Sequence, residues 1–278
     1  MSSPALLALA IAAISPASTE PAIVAADYLD LALVSEHRAF VPGRPASLGL
    51  RLRHAAQWHS YWINPGDSGL PTRLEWTLPA GWHASDIAWP APTRFEVSGL
   101  YNFGYDGDML LPVVIDVPAD AAVGTEAGIA VEAKWLVCRE ECIPGKAILH
   151  LNLPIMAAGN APSSDAWRFD ATRRALPEPA AWTGSAWLDG DRIVIMLRGD
   201  DLPEPTGLDV FAVQRRVLAN APPRLRREAD ALVIDAGQSD YFDEPPATLD
   251  LVLTNGSARA RQVRVAFVAL PNASTRSK

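Results

Sequence analysis

The sequence contains only two cysteines, Cys138 and Cys142, and three residues separate them. A pair at this spacing can form a structural disulfide, exchange electrons as dithiol and disulfide, or bind a soft metal ion through its thiolates. A structural bridge that closes so short a loop would stabilise the fold by only about 2 kcal/mol. Redox exchange and a structural bridge are therefore the two main hypotheses that the pair itself supports.

The neighbours of the pair do not indicate a strongly activated thiol. Redox pairs of the C-x-x-C type stand at the start of a helix, whose dipole lowers the pKa of a thiol. Here the spacing is one residue longer, and Pro144 and Gly145 predict a turn between strands. The nearby charged residues have mixed signs: Lys134, Arg139, Lys146, Glu140 and Glu141. If the pair exchanges electrons, its rate should depend on access and on the thiolate of the partner.

A metal site is the third hypothesis for the pair. Two thiolates and an imidazole could bind zinc or copper(I), and His150 follows on a predicted strand. The other four histidines are not spaced from the cysteines as ligands would be: His37, His54, His59 and His83. We expect all five to be ordinary surface or core-edge residues, and we expect neither a metal nor a bound cofactor.

Composition and charge restrict the class of partner. Of the 278 residues, 49% are hydrophobic, which is enough apolar material for one large or two medium cores. The net charge of −8 would repel phosphate backbones and anionic lipid surfaces. We therefore expect protein or small-molecule partners and no nucleic acid.

The start of the chain predicts export. Residues 4–14 form an apolar run of the length of a signal-peptide core, although no Lys or Arg precedes it. The small residues Val24, Ala25 and Ala26 then offer a cleavage site after Ala26. We expect a signal peptide over residues 1–26 and, in the mature protein, no membrane-spanning segment.

Short runs of alternating apolar residues, separated by Gly, Pro, Asn and Asp, predict strands joined by turns. The N-terminal runs are Leu29–Val34, Ser47–Leu52, Trp58–Ile63, Leu110–Val117, Ala130–Val137 and Ala147–Leu153. The C-terminal runs are Ile193–Leu197, Val210–Val213, Leu232–Ile234, Leu249–Leu253 and Val263–Val268. Together they predict an all-β protein of two tandem immunoglobulin-like β-sandwich domains.

A polar, Ala- and Pro-rich stretch separates the two series of runs. We expect the first domain over residues 27–156, a linker over 157–179 and the second domain over 180–272, with a tail over 273–278. A short helix between Asp165 and Ala175 is predicted inside the linker.

Three strings of residues together resemble the N-terminal periplasmic region of the thiol:disulfide interchange proteins DsbD and, more closely, ScsB. The first is WHSYWINPGDSG from Trp58 to Gly69. The second is YDGD from Tyr105 to Asp108 with LPV from residue 111, and the third runs from Trp135 to Pro144 through both cysteines. The resemblance covers roughly residues 29–154, and the second half resembles the further immunoglobulin-like domain of ScsB less specifically.

The resemblance implies a periplasmic protein-disulfide reductase component. Its cysteine pair would accept electrons from a membrane-embedded DsbD/ScsB-type donor and pass them to a periplasmic disulfide isomerase or another thioredoxin-like protein. By the same resemblance, Cys142 would form the mixed disulfide with the partner and Cys138 would resolve it. An aromatic cap loop is also implied, with Phe95 as its best-placed residue, Phe103 as the second choice and Tyr105 nearby.

Two questions remain open at this point. Relatives continue into a membrane domain and a thioredoxin-like domain, so the chain is expected to be either a separately encoded relay or a fragment of a larger protein. The competing function is a non-catalytic binding or assembly module of tandem β-sandwiches, in which the disulfide is structural. That module predicts a bridge of very low reduction potential, whereas a relay predicts a readily reduced pair.

Overall fold

The computed structural model describes residues 22–256 and 259–269, and this part of the chain is built almost entirely of strands. The N-terminal strands are β1 Val24–Ala26, β2 Leu29–Ser35, β3 Ala46–His54, β4 Ser60–Gly66, β5 Arg73–Thr77, β6 His83–Ala84, β7 Thr93–Val97, β8 Leu100–Tyr105, β9 Asp108–Asp116, β10 Glu126–Cys138 and β11 Cys142–Pro154. The helix α1 Ala166–Ala175 follows, and then β12 Glu178–Pro179, β13 Thr183–Asp189, β14 Arg192–Arg198, β15 Asp209–Ala212, β16 Arg224–Glu228, β17 Ala231–Gly237, β18 Thr248–Thr254 and β19 Arg261–Phe267.

The first eleven strands form three antiparallel sheets around one hydrophobic core. The strand orders are β1-β2-β3-β9-β6, β11-β10-β5 and β4-β8-β7. Alternate side chains of the first two sheets point inward, and Leu31, Leu50 and Leu111 of one share a core with Ile129 and Val131 of the other. Full burial of each such side chain stabilises the fold by about 1.5–3 kcal/mol. This sandwich-like arrangement confirms the predicted all-β class.

The C-terminal strands form one continuous sheet around a second core. Its order is β15-β18-β19-β13-β14-β17-β16, and β12 pairs with β19. Val210 on β15 and Leu225 on β16 stand at opposite ends of this order, yet both contact the same cluster as Ile195, Ile234 and Leu251. Residues of both edge strands of this sheet therefore belong to one core. Two tandem domains with the boundaries given above remain a prediction.

The helix lies inside the segment predicted as a linker, where it was expected. Phe169 of α1 is buried against Ala32, Val34 and Leu110, on the outer face of the sheet that carries β2 and β9. Arg168 adds an ion pair to Asp108 at 2.8 Å. The predicted linker is thus attached to the N-terminal half through an apolar contact and a charge pair.

The predicted signal peptide falls mostly outside the described residues, and the predicted tail over 273–278 falls wholly outside them. The last three residues of the predicted signal peptide form β1, in which Ala25 pairs with Asp30 of β2. A cleavage after Ala26 would therefore remove this edge strand from the first sheet.

Candidate functional site

The two cysteines face each other at the tip of the β10–β11 hairpin and form a disulfide. Cys138 is the last residue of β10 and Cys142 the first residue of β11, so the turn contains only the three residues between them. One backbone hydrogen bond lies within this turn: the N–H of Arg139 donates to the carbonyl oxygen of Glu141 at 3.1 Å. The cysteine pair therefore occupies a hairpin tip and not the start of a helix.

The turn predicted at Pro144 and Gly145 is wrong, because both residues lie inside β11. They pair with Leu136 and Trp135 of β10 in the regular register. Proline is tolerated there because β11 is an edge strand that needs no hydrogen bond on its outer side. Glycine is required because a Cβ at position 145 would lie 2.4 Å from the indole ring of Trp135.

The two cysteines differ in exposure. Cys138 is 2% exposed, whereas Cys142 is an exposed residue. The backbone of Cys138 is bonded to the chain just before β4: His59 N–H donates to Cys138 O at 3.0 Å, and Cys138 N–H donates to His59 O at 2.9 Å. An incoming thiolate can approach Cys142, while Cys138 is shielded behind it.

Tyr61 contacts the exposed cysteine from inside the fold. Its hydroxyl lies 3.6 Å from Cys142 Sγ, to which it can donate a hydrogen bond because a disulfide sulfur carries no proton. Burial raises the pKa of Tyr61, so the hydroxyl keeps its proton near neutral pH. The ring fits only because residue 69 is glycine, since a Cβ there would lie 2.2 Å from Tyr61 Cε1.

His59 is a buried imidazole beside the pair, and it was expected to be an ordinary residue. Its ring stacks on Phe95 with a centroid distance of 4.6 Å and meets Tyr61 edge-on at 5.3 Å. Its Nε2 atom is buried and has no hydrogen-bond partner among the described residues. Desolvation, with a smaller contribution from His54, lowers the pKa of His59 to about 4. The imidazole is therefore neutral around pH 7.

The stability of the protein should depend on pH through His59. The ordinary pKa of His59 is 6.5 and its pKa in the folded protein is about 4, so between these pH values the unfolded chain binds a proton that the folded protein does not. The free energy of unfolding is therefore highest above this pH window and falls as the pH drops through it. We expect the wild type to lose roughly 2 kcal/mol more unfolding free energy than His59→Phe between pH 7 and pH 4. Urea titrations at both pH values measure this difference. Equal losses in the two proteins would contradict it, because the phenyl ring keeps the stack on Phe95 without titrating.

The β7–β8 hairpin brings Phe95 to His59. Ser98 and Gly99 form its two-residue turn with φ values of 52° and 81°. Two positive φ values are typical of the tight hairpin turn that matches the twist of the flanking strands. Phe95 is half-buried on β7, and its ring covers the imidazole that precedes β4.

The other two residues predicted for a cap lie in the interior. Phe103 is 2% exposed and meets the ring of Phe211 edge-on at 4.9 Å. Tyr105 is buried as well, and its hydroxyl donates to Pro90 O at 2.7 Å. Of the three aromatic residues, Phe95 is the one whose ring stacks on the residue bonded to Cys138.

Two of the charged neighbours of the pair, Lys134 and Arg139, contact other groups. Lys134 forms ion pairs with Glu75 at 2.6 Å and with Glu132 at 2.9 Å. The guanidinium of Arg139, in the turn between the cysteines, lies 5.8 Å from the ring centre of Trp58. Of the three basic residues near the cysteines, Arg139 is the one in the turn between Cys138 and Cys142.

His150 is far from the cysteines along the β10–β11 ladder. It pairs with Ala130, eight residues beyond the rung of Cys138 and Cys142, which is roughly 26 Å at about 3.3 Å per residue. Within residues 22–256 and 259–269, no group of three or more His, Cys, Asp or Glu residues is arranged to hold a metal ion. No helix in the same part of the chain is long and apolar enough to cross a membrane.

Comparison with known families confirms the resemblance seen in the sequence. Residues 30–154 match the family model described as the N-terminal part of the thiol:disulfide interchange protein DsbD. The match includes both cysteines, His59, Tyr61 and Phe95. Among curated proteins, no sequence matches this chain.

A solved structure shares the fold across both halves. The N-terminal periplasmic domain of ScsB from Proteus mirabilis matches with a TM-score of 0.67 and 17% identity, covering 88% of this chain and 96% of that chain. Domains 5–6 of the S-layer protein SbsC match with a TM-score of only 0.23 at 10% identity, covering 91% of this chain and 100% of that one. The periplasmic chaperone SfaE is similarly distant, with a TM-score of 0.23 and 9% identity over 85% of this chain and 99% of that one.

Proposed function

We propose that this chain, of which residues 30–154 are a DsbD N-terminal-type domain, relays electrons in the periplasm from a membrane-embedded DsbD/ScsB-type donor to oxidised thioredoxin-like proteins. A single observation carries the proposal: the domain has one disulfide, with Cys142 exposed and Cys138 buried directly behind it. Such a pair lets one sulfur meet the partner while the other remains available for the second step.

The proposed reaction moves two electrons in two exchange steps. In the reduced protein, the Cys142 thiolate attacks a sulfur of the partner's disulfide, a mixed disulfide forms, and the partner's second sulfur leaves as a thiolate. The Cys138 thiolate then attacks Cys142 Sγ, and the partner's first sulfur leaves. The partner is now a dithiol and the Cys138–Cys142 disulfide has formed again. A membrane-embedded donor returns two electrons to the pair by the reverse sequence.

The β10–β11 ladder argues against a mainly structural bridge. Both strands are paired without interruption from Glu126 opposite Pro154 to Cys138 opposite Cys142. A disulfide across the last rung of a ladder that is already paired over 13 residues of β10 closes a very short loop and adds little entropy-based stabilisation. The fold does not need this disulfide for its stability, and thiol exchange would explain why the pair is present.

A titration of the pair against reduced and oxidised glutathione separates the relay from the binding module. We expect half-reduction at a potential above about −300 mV, whereas structural disulfides usually fall below that value. The reduced protein should also transfer its electrons to an oxidised periplasmic disulfide isomerase. A pair that resists glutathione and transfers nothing to such partners would favour the non-catalytic module.

We also propose Phe95 as the cap residue of this site. Its ring already covers His59. The backbone N–H and the backbone carbonyl of His59 are both hydrogen-bonded to the backbone of Cys138. Movement of the β7–β8 hairpin would uncover this imidazole.

A further inference from the structure

The C-terminal half packs directly on the small sheet that carries the cap residue. Phe211 of β15 meets the rings of Trp62 on β4 and Phe103 on β8, with centroid distances of 6.2 and 4.9 Å. The buried side chain of Asn64 donates through Nδ2 to Ala212 O at 2.8 Å. Phe211 and Val252 accordingly belong to the core cluster of the N-terminal half. The two halves share a packed interface on the β4-β8-β7 sheet.

Arg94 of β7 occupies the centre of this interface. Its side chain is 7% exposed, and its guanidinium carbon lies 4.9 Å from the ring centres of both Phe103 and Phe211. The guanidinium donates from Nε to Asp209 Oδ1 at 3.2 Å and from Nη2 to Val210 O at 3.0 Å, and Nη1 donates to Asn220 O. All three acceptors belong to the C-terminal half. The planar, five-donor group is thereby fixed by several contacts at once.

Arg94 directly precedes Phe95, and this adjacency links the interface to the redox site. Successive side chains of a strand point to opposite faces of the sheet. On one face of β7, Arg94 binds the C-terminal half, and on the other, Phe95 stacks on His59. The β7 strand therefore lies between the C-terminal half and the residue bonded to Cys138.

A second contact holds the tip of the same hairpin. The Asp67 carboxylate accepts a hydrogen bond from the Tyr101 backbone N–H at 2.7 Å through Oδ2. Its Oδ1 accepts from Asn220 Nδ2 at 2.8 Å. Asn220 thus touches the hairpin both through Arg94 and through Asp67.

We propose that the C-terminal half is the support that holds the β7–β8 hairpin in place, with Arg94 as the positioning residue that keeps Phe95 on His59. The effect on thiol exchange rests on the proposed relay function, whereas the effect on the hairpin does not. In this arrangement, the C-terminal half limits how freely the cap residue leaves the redox site. Cys142 is already exposed, and a loosened hairpin would also open the buried Cys138 to small thiols.

The test compares three variants of the full chain with the wild type. Arg94→Met keeps a long apolar side chain but removes every donor, and Asp209→Asn keeps the volume of the acceptor but removes its charge. Arg192→Met is the matched control, because Arg192 binds Asp235 through Nε and the Asp235 carbonyl through Nη2, both at 2.7 Å, wholly within the C-terminal half. Two quantities are measured in each: hydrogen–deuterium exchange of peptides across the chain, and the rate at which dithiothreitol reduces the oxidised pair.

We expect the backbone amides of residues 93–105 to exchange at least tenfold faster in Arg94→Met, and to a smaller degree in Asp209→Asn, with β2 and β3 unchanged. Reduction by dithiothreitol should accelerate severalfold in the same order, and Arg192→Met should match the wild type in both measurements. Unchanged protection of residues 93–105 in both interface variants would overturn the proposal. So would exchange that rises equally across all strands, because that pattern reports general destabilisation.

The two proposals can fail separately in this experiment. If the hairpin loosens in Arg94→Met but the wild type transfers no electrons to a thioredoxin-like partner, the relay function is wrong and the support of the hairpin stands. If the wild type transfers electrons and the hairpin of Arg94→Met stays protected, the relay function stands and the role of Arg94 is wrong.

Discussion

Cys142→Ser is expected to lower electron transfer to an oxidised thioredoxin-like partner by at least about 100-fold, because the mixed disulfide can no longer form. Cys138→Ser should behave differently. Its Cys142 thiolate remains exposed and can still attack the partner, but the second step has no resolving thiolate. The mixed disulfide should therefore accumulate in Cys138→Ser and be absent in Cys142→Ser.

Non-reducing electrophoresis and mass spectrometry of the two variants, each mixed with the same oxidised partner, measure this asymmetry. The variants serve as controls for each other, because each removes the same disulfide from the same hairpin tip. A mixed disulfide that accumulates in Cys142→Ser instead would reverse the two roles. Failure of both variants to react, together with a normal fold, would contradict exchange at this pair.

Gly104→Ala is expected to destabilise the protein by about 3 kcal/mol and to disturb the surroundings of the disulfide at the same time. Gly104 lies on β8, the central strand of the β4-β8-β7 sheet, and a Cβ there would lie 1.8 Å from Ser60 O and 3.1 Å from Tyr61 Cα. Both atoms are backbone atoms of β4, so the clash cannot be relieved by turning a side chain. Separation of β4 from β8 would move Tyr61 away from Cys142 Sγ.

Gly128→Ala is the matched control for this substitution. Gly128 also lies within a strand, β10, and the nearest atom to its added Cβ is Asn152 Oδ1 at 2.9 Å, the far end of a flexible side chain. We expect a change within about 0.5 kcal/mol for this variant. Guanidinium denaturation measures both variants, and similar unfolding midpoints would show that the β4-β8 pair can absorb the extra methyl group.

The position of the pair on a sandwich has a chemical consequence. A thiol at the start of a helix has its pKa lowered by the backbone dipoles, and no helix in the described part of the chain begins at Cys138 or Cys142. The reactivity of this site must then come from access to Cys142, from the Tyr61 hydroxyl beside it and from the attacking group of the partner. Access to Cys142 is therefore expected to be more important here than activation of the thiol.

Local patterns predicted most of the strands because their cause is local. Leu249–Leu253 and Leu29–Val34 alternate or run apolar in the way that half-buried strands require, and both lie within observed strands, β18 and β2. The β7–β8 hairpin was not predicted. Its strands Thr93–Val97 and Leu100–Tyr105 mix charged and aromatic residues, and they are held by contacts with residues more than 100 positions away.

The turn at Pro144 and Gly145 shows how a local signal can mislead. Proline and glycine normally favour turns, but here an edge strand tolerates the missing N–H of proline and the indole of Trp135 requires the missing side chain of glycine. Both reasons concern the neighbouring strand β10. Neither can be read from the residues around position 144 alone.

The sequence by itself determined the β class, the cysteine pair and, through three short strings, the similarity to a thiol:disulfide interchange domain, because each depends on residue types within a few positions of one another. Only the tertiary structure decided that Cys142 is exposed and Cys138 is buried, although they are four positions apart. It also placed His59 under Phe95, and it placed the Arg94 side chain against the C-terminal half. Burial and such contacts depend on which distant strands pack together, and this packing is a property of the whole fold and not of any one segment.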